Sequence, residues 1–295
     1  MRDLKKREIR YLTPSTIIAY AKSEDGLVCK RVPWFMVHGY KPIRPEAKEI
    51  GLSRSELIHE LCLVSQLDER NLLKRLGSNR RVKSHFFEDY ETNIMGLFYN
   101  SDSIPNLRAA RTRLEQLAPG QYVVETVEKF SREYPRARYD SFMALYGGVK
   151  IGALPIPILE FDSGIVDVGL GFPIRCAIDI VEQYHNTDNV NETTVSLNPD
   201  FESIEKYKGL QSSMCALAWR NNTRKSGKPV TSTVTGYDEI GVREVRMDID
   251  FVSKRNAIQG FIKRLLELVG KDFKDVAKDE GKCKKCDYRN EEYCR

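Results

Sequence analysis

Three cysteines, Cys283, Cys286 and Cys294, crowd the end of the sequence, in the run Gly-Lys-Cys-Lys-Lys-Cys-Asp-Tyr-Arg-Asn-Glu-Glu-Tyr-Cys-Arg. The run is polar and charged, so it cannot bury a core of its own. A chain end frays unless something ties it down. Thiolates gathered on a metal centre would do so, and three of them leave one ligand to be found. Cys29, just ahead of Lys30 and Arg31, is the best candidate. Closure of those four would staple the two ends of the chain. That restricts the fold to one in which residue 29 neighbours residues 283–294.

The remaining cysteines read differently. Cys62, Cys176 and Cys215 lie in apolar runs (Leu61-Cys62-Leu63, Cys176-Ala177-Ile178, Met214-Cys215-Ala216-Leu217) and are expected to be small buried hydrophobes. Seven cysteines is an odd number, and an intracellular chain does not build a disulfide framework. A four-thiolate set suits zinc or an iron–sulfur cluster. Zinc sites usually bring their cysteines as two close pairs. The three-plus-one split therefore favours a [4Fe-4S] cluster, with zinc as runner-up, including a zinc knuckle completed by His38.

At 295 residues the chain is long enough for one large domain or two modest ones. No apolar stretch approaches the roughly 18 to 20 residues that span a membrane. The first ten residues are charged and lack an apolar segment, which excludes a secretory signal there; a cytoplasmic location is expected. A net charge of +5 is compatible with a polyanionic partner. Basic runs at Lys5-Lys6-Arg7, at Arg80-Arg81 with Lys83, and from Arg108 to Arg113 read as solvated faces or as phosphate contacts.

Hydrophobic periodicity divides the chain. Thr13-Pro14 reads as the cap and first position of a short helix carrying Ile17, Ile18 and Tyr20. Residues 45–66 read as a second helix, and residues 67–140 as mostly helical, with 107–117 the clearest amphipathic piece. From Gly148 the texture turns to Val and Ile broken by Gly, Pro, Asp and Asn. Strands are expected at 149–160, 164–170, 173–184, 192–197, 230–237 and 242–251, with helices at 200–220 and 253–269. The fold class is α/β: a mixed sheet flanked by helices, with a helical portion ahead of it.

Three further features point to chemistry. His59 closes Gly51-Leu-Ser-Arg-Ser-Glu-Leu-Ile-His within a helix. Asp179 follows an apolar strand run, where a carboxylate needs a cation or a donor. Gln211 shares a helix face with Tyr207 and Cys215, so a specific hydrogen bond to the sheet is expected.

In this order the pieces resemble the iron–sulfur branch of the RecB-like PD-(D/E)XK nucleases, which includes CRISPR-associated exonucleases and AddB-type subunits. Leu12-Thr-Pro-Ser-Thr-Ile-Ile-Ala-Tyr followed by Cys29-Lys-Arg is similar to the family's opening helix and first cluster cysteine. Gly51 to His59 is similar to its G…H helix, and Ala177-Ile-Asp-Ile-Val to the strand bearing the metal-binding Asp. Gln211 stands where its Q-x-x-x-Y helix begins, with Cys215 replacing the Tyr. Cys283-Lys-Lys-Cys-Asp-Tyr-Arg…Cys294 is similar to its closing block, with a wider last gap.

The resemblance implies a restriction-endonuclease-like domain over 1–295, a helical insertion at 67–147, and a structural cluster on Cys29, Cys283, Cys286 and Cys294. It implies His59 and Asp179 as ligands of Mg²⁺ or Mn²⁺, Gln211 in the site, and DNA as partner, as single-stranded or double-stranded ends. One departure stands out. Ser196 and Asn198 fall where the (D/E)-x-K acid and lysine are expected. Glu192 is then the candidate second carboxylate, and Lys206 or Lys208 the candidate lysine. A metal-dependent DNA nuclease and a non-catalytic scaffold that binds nucleic acid or a protein partner are both compatible with this pattern. So is a zinc-stapled interaction module.

Overall fold

The computed structural model describes residues 8–81, 90–196, 201–223, 227–238, 244–283 and 286–288. The first helix, α1 (Pro14–Glu24), begins as expected. Pro14 occupies the first helical position, and the Thr13 backbone N–H donates to Thr16 Oγ1 at 3.3 Å. A short α2 (Arg31–Val37) follows. Its Pro33 sits in the first turn, where the backbone N–H has no intrahelical partner, so the helix tolerates it. Then come α3 (Glu46–Leu76), α4 (Tyr90–Tyr99), α5 (Pro105–Leu117) and α6 (Gly120–Tyr146).

A five-stranded mixed sheet comes next: β1 (Ile156–Val166), β2 (Ile174–Gln183), β3 (Asp188–Ser196), β4 (Val230–Asp238) and β5 (Glu244–Asp248), in sequential order. Neighbours are antiparallel except β3 and β4, which run parallel in register from Asp188–Val230 to Ser196–Asp238. A parallel pair needs a crossover. It is supplied by α7 (Phe201–Ser203), a π-helical turn (Ile204–Lys208) and α8 (Gly209–Asn222). The chain closes with α9 (Arg255–Gly270) and a one-turn α10 (Glu280–Cys283).

The α/β expectation holds, with one revision to its strands. The two strands expected at 149–160 and 164–170 are a single strand, β1. Gly164 takes φ +64 and donates its N–H to Asp162 Oδ1 at 2.9 Å, so the glycine makes a bulge within the strand and no turn.

Two apolar clusters hold the elements. One packs α1, α2, α8 and α9 against the sheet through residues such as Ile17, Trp34, Ile178, Met214 and Ile262. The other gathers α3 to α6 around Leu61, Phe98, Phe130 and Tyr134, and takes Tyr237 from β4. The helices of 67–147 therefore share their core with the earlier part of α3 and with Tyr237 of β4. Full burial of a Leu or Phe contributes roughly 1.5 to 3 kcal/mol. Helix α3 belongs to both regions: it meets β1 and β3 of the sheet, and joins the helical cluster through Leu57, Ile58, Leu61, Cys62 and Leu73.

Candidate active site

The site lies where β2 and β3 part. Their ladder covers only residues 180–183 against 188–191. One position beyond its end, the Asp179 side chain enters the gap and takes the Thr193 backbone N–H at 2.8 Å. On the other side of β2, Leu159 pairs with Ile180 and Phe161 with Ile178, so Glu160 stands opposite Asp179. Glu160 has φ +50, the only positive φ among the described non-glycine residues. That conformation is costly for a side chain bearing Cβ and persists where the surroundings impose it.

Helix α3 delivers His59. Its Nε2 is 3.3 Å from Asp179 Oδ2, and its Nδ1 is 3.7 Å from Glu60 Oε1. Burial opposes a charge on the ring. The hydrogen bonds and negative charges of Asp179 and Glu60 outweigh it and lift the pKa to about 10. The ring is therefore held as an imidazolium by its two carboxylate neighbours, and would release that proton on taking up a metal ion. Burial likewise opposes the Asp179 charge, but His59 holds that carboxyl below its ordinary value.

Glu192 is the second carboxylate. It is fully buried on β3, one position past the ladder with β2. Its Oε2 accepts a 2.6 Å hydrogen bond from Gln211 Nε2, and its Oε1 has no hydrogen-bond partner. Burial first, and the Asp179 charge second, push its pKa up to about 8. Lys208, from the π-helical turn, donates to Gln211 Oε1 at 3.1 Å and favours the charged form of both carboxylates.

The structure thus brings His59, Asp179, Glu192 and Gln211 together. Of the two candidate lysines, Lys208 joins them, whereas Lys206 pairs with Asp25 at 2.8 Å. The register sets Glu192 beside Asp179. Ser196 lies four positions further along β3, opposite Asp238, and Asn198 is outside the described residues. Counted from Glu192, the lysine position of a (D/E)-x-K motif holds Thr194. Sequence reasoning missed Glu60 and Glu160. Glu60 adjoins His59 in the chain, which was a usable signal. Glu160 carries none, because a positive φ at a glutamate leaves no trace in composition or period.

Among the described residues, no group of three or more His, Cys, Asp or Glu side chains is arranged to hold a metal ion. The reason is local: His59 is turned onto Asp179, and Gln211 occupies one oxygen of Glu192. The donor chemistry nevertheless fits Mg²⁺ or Mn²⁺. Two carboxylates and an imidazole converge, and Glu192, whose buried Oε1 is unpartnered, is kept neutral by burial and by the Asp179 charge, a state that a bound cation would reverse.

In the segment after α1, buried Cys29 lines a cavity of about 360 Å³ together with half-buried Cys286. Cys283 ends α10, its side chain lying outside the described residues, as does all of Cys294. Two of the expected four thiols therefore share a cavity, which is compatible with a shared centre. His38 is committed elsewhere: it is buried, packed on Trp34 at 4.2 Å, with Nε2 3.2 Å from Val269 O. Cys62, Cys176 and Cys215 are buried as expected. In the run from Arg108, Arg111 pairs with Glu115 at 2.8 Å and Arg113 with Glu56. Lys5 to Arg7 and Lys83 fall outside the described residues.

No family model matches the chain, and no curated protein matches its sequence. A crystal structure from Eubacterium rectale, of a protein proposed to be an exonuclease, is similar in fold with a TM-score of 0.51 at 11% identity, covering 88% of this chain and 82% of that one. Identity that low speaks for the fold alone, a mixed sheet flanked by helices. Among the described residues, no helix is long and apolar enough to cross a membrane.

Proposed function

We propose that the chain is a metal-dependent DNA nuclease of the iron–sulfur RecB-like PD-(D/E)XK kind, acting on single-stranded or double-stranded ends. The observation that carries this reading is the buried Glu192 beside Asp179, with Oε1 unpartnered and the carboxyl kept neutral by burial and by the Asp179 charge. His59, Asp179 and Glu192 would hold Mg²⁺ or Mn²⁺. When bound, such an ion supplies neutralisation of phosphate charge and an acidified water. Lys208 brings a fixed positive charge to the pair, and its bond to Gln211 keeps that amide donating to Glu192. In this reading Lys208 replaces, from the helix, the motif lysine absent at Thr194. The likeness to the Eubacterium rectale structure supports the scaffold.

Cys29, Cys283, Cys286 and Cys294 would hold a [4Fe-4S] cluster of structural role, with zinc the other candidate. Anaerobic purification followed by iron and sulfide analysis decides between them. Thr194 favours a second reading, in which the scaffold binds nucleic acid or a protein partner without cutting. Digestion of single-stranded and double-stranded DNA with Mn²⁺ separates the two, comparing cluster-loaded wild type with Asp179→Ala. Cleavage by wild type alone is expected. Equal cleavage by both proteins, or none by either, overturns the nuclease reading.

A further inference from the structure

Next to Glu192 the surface opens into a cleft of about 530 Å³ between α1 and the start of α8, within the range of ligand sites. Its walls include Lys22, Lys208, Ser15, Thr194, Ile18 and Tyr207. Two lysines on one wall set are an electrostatic cost unless an anion joins them. Lys208 is shared with the carboxylate pair through Gln211. Lys22 makes no ion pair among the described residues; it lies over the Tyr207 ring, 5.1 Å from its centroid. Burial first, and the charge of Lys208 second, hold the Lys22 ammonium below its ordinary pKa. The aromatic face also fixes where the amine sits, because Tyr207 is itself tied by its hydroxyl to Asp25 at 2.5 Å. Two hydroxyl side chains, Ser15 and Thr194, add neutral donors, and Ile18 gives an apolar floor.

We propose that this cleft binds a backbone phosphate of a nucleic-acid strand, gripped by Lys22 and Lys208, with the adjoining sugar and base against the apolar side. The inference rests on the nuclease reading, because the same Lys208 links the cleft to Glu192. It adds a binding residue, Lys22, on a helix that the carboxylate site does not use. A strand seated there lies beside the carboxylate site, which it meets through Lys208 and Gln211.

The test is equilibrium binding of a fluorescent single-stranded oligonucleotide of roughly twelve nucleotides in EDTA. Wild type is compared with Lys22→Met, Lys22→Arg and the exposed control Lys263→Gln. Lys22→Met is expected to weaken binding about fivefold and to reduce the slope of log affinity against log salt by about 0.7, one phosphate contact on a single strand. Lys22→Arg and Lys263→Gln are expected to keep both. No binding by wild type, or an unchanged slope in Lys22→Met, overturns the proposal. If Lys22→Met does not fold, acylation of the wild-type protein replaces it. Lys22 must be protected by the oligonucleotide while Lys263 is not, and equal labelling overturns the proposal. Mn²⁺ cleavage assays in parallel separate the two readings. Loss of binding in Lys22→Met with no cleavage by wild type leaves the cleft standing and sinks the nuclease. Cleavage by wild type with unchanged Lys22→Met binding does the reverse.

Discussion

Glu192→Gln should make the metal-free protein more stable and the metal-bound protein no better for it. Glu192 is fully buried, and its carboxyl titrates at about 8 against an ordinary 4.5. Keeping a carboxyl of ordinary pKa neutral at pH 7 costs about 3 kcal/mol, at about 1.36 kcal/mol per pH unit. Glutamine has the same shape, is already neutral, and retains an oxygen for the Gln211 amide. Relief of most of that cost, about 2 to 3 kcal/mol, raises the melting temperature by roughly 5 °C at about 2 °C per kcal/mol for a chain of this size. The metal acts in the other direction. At a hundred times its dissociation constant, Mn²⁺ stabilises a site that binds it only when folded by about 2.7 kcal/mol, a rise of roughly 5 °C. Wild type should show that rise and Glu192→Gln should not.

Thermal melts of both proteins at pH 7, in EDTA and in Mn²⁺, give all four values. The pH dependence adds a second check. The folded pKa of Glu192 is raised, so its neutral form contributes fully below pH 4.5 and that contribution is lost as pH rises to about 8. Glu192→Gln should lack that part of the decline. The reasoning fails if Glu192→Gln melts below wild type in EDTA, or if it keeps the Mn²⁺ rise.

The remaining predictions are checked by equally direct measurements. Asp179→Asn should lower Mn²⁺-dependent cleavage by at least about 100-fold in initial rate and leave oligonucleotide binding in EDTA within about twofold, because the carboxylate is asked to hold the ion and not the strand. Glu182 is buried, yet Arg246 at 2.6 Å and Asn189 hold its carboxyl below the ordinary 4.5. Its contribution is therefore complete above pH 4.5 and lost as pH falls through the lowered value, and acid titration of Arg246→Met should lack that loss. Arg138 grips Glu69 through two hydrogen bonds, 2.9 and 3.1 Å, in the buried core of the helical group. Arg138→Met leaves that carboxylate uncompensated and should cost about 3 to 5 kcal/mol in urea unfolding, most of it recovered by adding Glu69→Gln.

The sequence marked the parts of the fold that follow a period or a cap. Thr13-Pro14 sets the start of α1, and the Ile258–Leu265 stripe sets α9. It did not mark α2, where Pro33 and adjacent aromatics hide seven helical residues held by packing. At the site, His59, Asp179 and Gln211 were readable as types in a characteristic order. The second carboxylate was harder, because choosing between Glu192 and Ser196 needs the β2–β3 register, which depends on where the ladder stops. Side-chain alternation cannot locate that end. Lys208 shows the same limit: only the π-helical turn decides that it faces Gln211 while Lys206 faces Asp25.

The terminal cysteines and the lysine cleft are coupled through one short piece of chain. Val28 borders both the Cys29–Cys286 cavity and the Lys22–Lys208 cleft. Helix α2 does not need the thiols to hold its place. Arg31 donates to Val276 O at 3.1 Å, Trp34 to Lys271 O at 3.2 Å, and His38 meets Val269 O, so two of its side chains and that of the residue capping it bind carbonyls in the chain from the end of α9 onward. The thiols matter past that point, where Tyr288 stacks on Phe35 at 4.9 Å and Asp287 meets Arg44 and Lys48. On the other flank Asp25 is fixed by Tyr207 and Lys206. The piece between Asp25 and Cys29 is thus clamped at one end by the cleft wall and at the other by whatever Cys29 binds. Losing a ligand at Cys29 would release one clamp and leave the α2–α9 packing intact.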